Sequence, residues 1–183
     1  VEPAAKAKAA LVLGHGAGGG VGAPDLQAAK AAALEAGVTV ALVEQPYRVA
    51  GRRSPAPASQ LDAAWLAVVA ALRGDALKGM ELICGGRSSG ARVACRTAAD
   101  AGAAAVLCLA FPVHPPGRPE KSRLDELDGV TVPTLVVQGE RDPFGMPPPK
   151  PPLREVVIVS GDHSLRATVA VRDAVAAWLA ERV

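Results

Sequence analysis

The sequence predicts an α/β fold with a mainly parallel sheet of about six strands and helices on both faces. Three observations carry this expectation. Six short apolar runs alternate with segments of helical spacing. Each run is rich in Val, Leu, Ile or Ala and ends near Gly, Pro or a charged residue, as strands covered on both faces do. Residues with chemical character follow the ends of the runs, where an open α/β sheet forms its crevice.

In chain order, the first strand is expected over Ala10–Gly14, followed by the glycine-rich Gly14-His15-Gly16-Ala17-Gly18-Gly19-Gly20. A helix over Asp25–Ala36 leads to a strand over Val38–Val43, after which come Tyr47, Arg48, Arg52 and Arg53. A helix over Gln60–Arg73 precedes the third strand, expected over Met80–Cys84. Gly86-Arg87-Ser88-Ser89-Gly90 then opens a helix over Ser89–Ala101. The fourth strand is expected over Ala104–Ala110, and Pro112–Ser122 after it is a proline-bearing loop that contains His114. The fifth strand, Thr134–Gln138, is followed by the proline-rich loop Asp142–Pro152. Proline breaks helices and central strands, so both segments are surface loops. The sixth strand, Glu155–Val159, leads through Ser160-Gly161-Asp162-His163-Ser164 to a last helix from about Leu165 to Glu181. Val169, Arg172, Val175, Ala176 and Leu179, with Trp178 beside them, give that helix one apolar face and one charged face. No repeat or long linker divides the chain, so residues 1–183 are expected to form a single domain.

Composition narrows the function classes. Half of the residues are apolar and about a fifth are charged, as in an ordinary globular protein. The net charge of +2 and the scattered basic residues give no nucleic-acid footprint. The three cysteines Cys84, Cys95 and Cys108 lie inside apolar segments without a C-x-x-C pair. They read as buried free thiols in a reducing compartment, not as a disulfide frame or metal site. No apolar run reaches membrane-span length, and Ala9–Leu13, after Lys6 and Lys8, is too short for a signal-peptide core. Cytoplasmic localisation is the expectation, and Val1 in place of Met reads as a processed or trimmed start.

Gly86-Arg87-Ser88-Ser89-Gly90 is a G-x-S-x-G motif between a strand and a helix, the setting of a nucleophile elbow. Such a turn is too tight for bulky neighbours, and it holds the serine hydroxyl at a helix N-terminus. Serine needs an imidazole to accept its proton, and the imidazole needs a carboxylate to fix its tautomer. Ser88, Asp142 and His163 fall in that order at the ends of the third, fifth and sixth strands. Glu140 and Asp162 are the rival acids. Asp162 adjoins His163 and suits a helix cap better. The glycine loop after the first strand supplies a second oxyanion N–H, from Ala17 or alternatively Gly18, beside that of Ser89. A competing reading takes Gly14, Gly16 and Gly19 as a dinucleotide fingerprint, with Glu44 as the ribose acid. His15 is expected to organise the loop. Arg87, His114, Tyr47 and Arg52 are candidate substrate contacts, with Arg87 or the Arg48–Arg53 loop holding an anionic group. Alternatively Arg87 is tied to a nearby carboxylate.

The segments LVLGHGAGG from Leu11, QPYRVAGRRSPAP from Gln45, GGRSSGARVA from Gly85, FPVHPPGRPEKSR from Phe111, VVQGERDPFG from Val136 and SGDHSL from Ser160 carry a resemblance over nearly the whole chain. It resembles the α/β-hydrolases of the small, lidless, dienelactone-hydrolase-like kind. Within them it is similar to the family of the testis-expressed hydrolase-like protein and the third subunit of the non-specific-lethal chromatin complex. The resemblance implies an α/β-hydrolase fold with no lid domain and the roles above for Ser88, Asp142, His163, Ala17 and Ser89. Dienelactone hydrolases proper use cysteine where Ser88 stands here. Some chromatin-associated members look like scaffold subunits, so a non-catalytic binding module is the alternative.

The expected activity is that of a carboxylesterase- or thioesterase-like serine hydrolase acting through an acyl-serine on a small-molecule acyl substrate. No metal or organic cofactor, nucleic acid or membrane partner is expected. The short Pro112–Asp128 stretch, where relatives insert a lid, implies an open site for small acyl groups.

Overall fold

The computed structural model describes all residues, Val1–Val183. Its elements are β1 (Ala9–Gly14), α1 (Pro24–Glu35), β2 (Thr39–Val43), α2 (Pro46–Val49), α3 (Ala58–Gly74), β3 (Glu81–Arg87), α4 (Ser89–Ala101), β4 (Ala105–Leu109), α5 (Leu124–Asp128), β5 (Thr134–Gly139), β6 (Arg154–Val159) and α6 (Thr168–Ala180). β1, β4 and β5 are buried at every position. Strands without a polar face need cover on both sides, and the helices provide it.

All six strands are parallel, in the order β2-β1-β3-β4-β5-β6. Successive side chains in a strand point to opposite faces, so Val12 and Leu13 enter different cores. On one face Val12, Cys84, Val106 and Val136 pack with Trp65 and Val69 of α3 and Val93 and Ala94 of α4. On the other, Leu11, Leu13, Leu107 and Leu135 pack with Leu26 and Ala29 of α1 and Val171, Val175 and Leu179 of α6. After β1 the chain runs outward to β2, then returns to place β3 on β1's other side. The strand order therefore reverses beside β1 and β3, and a crevice forms outside their carboxyl ends.

Several boundaries differ from the sequence expectation. The third strand continues from Cys84 through Gly85 and Gly86 to Arg87. A Cβ on Gly85 would lie 2.5 Å from Leu107 O, and one on Gly86 2.5 Å from Gly14 O. These glycines are strand residues with no room for a side chain. Ala110 leaves the fourth strand at φ +51°, and Leu165 stands at φ +45°, outside right-handed helix, so α6 starts at Thr168. The short helices α2 and α5 were not expected. Between β4 and β5 the chain forms only loops and the five-residue α5, with no lid domain. No helix is long and apolar enough to cross a membrane.

Candidate active site

Three loops meet at the carboxyl edge of the sheet. Ser88, between β3 and α4, has φ +52° and ψ −108°, a strained conformation for a residue other than glycine. The strain depends on close packing. A Cβ on Gly90 would strike the carbonyl of Gly14, so only glycine lets α4 start against β1. The turn lifts Ser88 out of the sheet at the amino end of a helix of 13 residues.

Ser88 Oγ lies 2.9 Å from His163 Nε2, and His163 Nδ1 lies 2.8 Å from Asp142 Oδ2. Both Asp142 oxygens already accept hydrogen bonds: Oδ1 accepts the Phe144 N–H at 2.8 Å, and Oδ2 accepts from Gln138 Nε2 at 2.9 Å. The carboxylate can therefore only accept from His163. This places the imidazole proton on Nδ1 and leaves the Nε2 lone pair facing the Ser88 hydroxyl. Asp142's side chain is 1 % exposed and His163's 15 %.

Other side chains hold this arrangement. Gln138 is fully buried, and its amide also reaches Phe111 O at 3.1 Å and Gly145 O at 2.9 Å. The Phe144 ring stacks on His163 with centroids 4.0 Å apart and planes 27° apart. Arg87 Nη2 donates to the His163 carbonyl at 2.9 Å, and its Nε lies 2.8 Å from the buried Asp25 Oδ2. Burial raises Asp25's pKa above the usual Asp value, against the opposing pull of Arg87. Gln138, Phe144 and Asp25 were not singled out in the sequence, where only a neutral amide, a lone aromatic and a helix-start acid are visible.

The glycine loop closes the other side. A Cβ on Gly16 would lie 2.7 Å from Arg87 Nη1 and 3.4 Å from Ser88 Cβ, so this loop abuts the serine. The Ala17 N–H makes no hydrogen bond within the protein. The Ser89 N–H, at the first position of α4, has no helical acceptor. His15, fully buried, organises the loop from behind: the Gln45 N–H donates to Nε2 at 2.9 Å, and Nδ1–H donates to Gly16 O at 2.8 Å. Glu44 Oε1 lies 3.2 Å from the same Nε2, which has no proton for it. The first long helix after this loop begins only at Pro24, so the loop does not offer a helix N-terminus to a pyrophosphate as the dinucleotide reading required.

A cleft of about 400 Å³ lies over Ser88, bordered by Ala17, Ser89, Phe144 and His163. Of the four expected substrate contacts, Arg87 reaches the cleft, with its charge already engaged by Asp25. The other three do not reach it. Tyr47 is 4 % exposed and donates to Ala17 O at 3.1 Å. Arg52 lines a neighbouring groove, which meets the cleft at Pro55 and Ala56. His114 turns to Pro115 O at 2.9 Å and packs on Gly145, bracing the Asp142 loop. The rival acids are elsewhere: Glu140 pairs with Arg141, and Asp162 accepts the Ser164 N–H at 2.8 Å.

The sequence matches the family described as "Alpha/beta hydrolase domain" over residues 7–174. No curated protein matches it. Among solved structures, dienelactone hydrolase from Anabaena variabilis superposes with a TM-score of 0.75 at 17% identity, covering 98% of this chain and 88% of its own. A Xanthomonas campestris protein, described as an α/β serine hydrolase without lid, gives 0.70 at 20% identity, over 97% and 86%. An α/β serine hydrolase homologue from Coxiella burnetii gives 0.71 at 18% identity, over 97% and 88%. At these identities the likeness is one of fold.

Proposed function

The chain belongs to the alpha/beta hydrolase family, and we propose that it is a serine hydrolase of small carboxylic esters or thioesters. The observation that carries the reading is the unbroken relay from Ser88 Oγ through His163 to Asp142, at 2.9 and 2.8 Å. In this reading His163 Nε2 takes the Ser88 proton as Oγ attacks the acyl carbon. The N–H groups of Ala17 and Ser89 hold the oxyanion. The intermediate collapses, and the departing alcohol or thiol takes the proton from His163. Water then gives a proton to Nε2 and attacks the acyl-Ser88. The acid leaves, and the proton returns to Ser88. Asp142 keeps the imidazole in its working tautomer and balances the imidazolium charge.

Arg87 serves as a cleft wall that holds the His163 backbone, and Tyr47 holds the Ala17 loop. Arg52, in the neighbouring groove, serves the far end of a longer leaving group. The open cleft, roofed by no lid, favours short acyl groups. In this reading the chain is a relative of the testis-expressed hydrolase-like and non-specific-lethal third-subunit branch, a reading supported by the resemblance of its segments from Leu11 to Leu165. Three buried, unpaired thiols support a reducing, cytoplasmic setting. The test is a panel of p-nitrophenyl esters and acyl thioesters with Ser88→Ala as control. Hydrolysis of short-chain members that Ser88→Ala abolishes supports the reading. Rates that climb steeply with chain length contradict the small-acyl part of it.

A further inference from the structure

Four guanidinium groups reach the cleft over Ser88: Arg87, Arg92, Arg96 and Arg123. Three are engaged. Arg87 faces Asp25. Arg92 forks onto Glu126, with Nε 2.8 Å from Oε2 and Nη2 2.5 Å from Oε1. Arg96 forks onto Asp62 at 2.9 and 2.6 Å and also touches Glu126 Oε1 at 3.2 Å. Both Glu126 oxygens are thus occupied, and Arg123 has no carboxylate within ion-pair distance. Asp142, the remaining acid of the site, is held behind His163 by Gln138 and the Phe144 N–H.

Arg123 is not a loose surface cation. It is half-buried, and its backbone is pinned by a 2.7 Å bond from its N–H to Val113 O. Burial and the nearby positive charge of Arg92 lower its pKa from the usual Arg value, and the Glu126 charge, already shared between Arg92 and Arg96, offsets this only in part. Arginine presents donors in a planar fork that fits a carboxylate with two parallel hydrogen bonds. A half-buried cation without an ion-pair partner, lining the same cleft as an acyl-accepting serine, gains most from an anion brought in by the substrate.

We infer that Arg123 is a specificity residue of this cleft and that the substrate is an ester or thioester carrying a carboxylate on its acyl or its alcohol part. The inference rests on the serine-hydrolase reading above. It differs from the sequence expectation, which gave this task to Arg87 or the Arg48–Arg53 loop.

The test compares mono-p-nitrophenyl glutarate with its methyl ester, and 4-butanoyloxybenzoate with its methyl ester. Rates are corrected for Ser88→Ala background. Wild type should favour the charged member of at least one pair by about 10- to 100-fold in kcat/KM, the range of a charge-assisted hydrogen-bonded pair. Arg123→Gln should bring that ratio to about one, and exposed Arg118→Gln should keep it. Calorimetric binding of N-phenylglutaramate and its methyl ester gives a readout independent of turnover. Hydrolysis of neutral esters without charge preference or binding difference overturns this inference and leaves the hydrolase reading intact. No hydrolysis, with Arg123-dependent binding of the anion, overturns the hydrolase reading and keeps the anion site. Neither activity nor selective binding overturns both.

Discussion

Gln138 Nε2 stands 2.9 Å from Asp142 Oδ2, the same oxygen that lies 2.8 Å from His163 Nδ1. The amide ties the acid of the relay to the end of β5 and, through Phe111 O and Gly145 O, to the loops on either side. Asp142 is therefore oriented by the sheet itself and not by its loop alone. Gln138→Met keeps the bulk and removes the donor. It should lower kcat on a p-nitrophenyl ester by about 10- to 100-fold, the scale of a hydrogen bond to a charged group, with KM little moved. Equal loss in kcat and gain in KM would contradict a positioning role.

Arg87 and Asp25 join α1 to the His163 loop across the sheet edge. Removing one partner of a buried pair costs about 3–5 kcal/mol because the other charge is left uncompensated. Arg87→Met should thus strongly lower the urea midpoint at pH 7. The sign with pH follows from Asp25. Its pKa is raised in the folded state, and losing Arg87 removes a lowering influence. A carboxyl raised on folding favours the fold below its unfolded pKa, and that advantage is lost as pH rises through the folded one. The deficit of Arg87→Met should therefore shrink from pH 7 towards pH 4. A pH-independent deficit would contradict the account of Asp25.

Gly90→Ala tests the packing under the serine. Its Cβ would strike the Gly14 carbonyl, which is backbone and cannot swing away. A loss of about 1–3 kcal/mol, the usual cost of overpacking, is expected in chemical unfolding, together with loss of Ser88 reactivity. Gly22→Ala, with open space around its Cβ, should be near neutral in both measurements.

The thiols should be inert in the folded protein. Burial pushes Cys84 up to about 12, the Cys108 thiol 3.5 Å away and then burial push Cys95 well above the thiol range, and Cys108 itself is fully buried. The thiolate is the reactive form. A disulfide reagent at pH 8 should therefore label none of the three until denaturant is added. Rapid labelling of native protein would contradict their placement in the core.

The sheet was legible because its strands are fully buried and thus read as short apolar runs, such as Leu107 and its neighbours in β4. Ser88, Asp142 and His163, which the structure brings within hydrogen-bond distance of one another, stand out in the sequence because each follows a strand end with a glycine close by. What failed to show has several physical causes. Gly85 and Gly86 lack the apolar side chains that mark a strand, yet close packing against Leu107 and Gly14 makes them one. α2 and α5 are too short to display a helical period. The partners of Arg87 and Arg92 are set by contacts between distant segments, and no residue pattern marks Asp25 or Gln138, although Gln138 stands only four residues before Asp142. His114 follows a strand as the chemical residues do, but its ring faces the adjacent loop.

The most direct measurement is labelling with a fluorophosphonate, read by intact-protein and peptide mass spectrometry. Wild type, Ser88→Ala and His163→Ala are compared, with folding of each checked by circular dichroism. The account predicts one adduct on wild type, carried by Ser88 and absent from both variants. Folded wild type without an adduct, or an adduct on another residue that survives Ser88→Ala, would contradict an activated serine at this site.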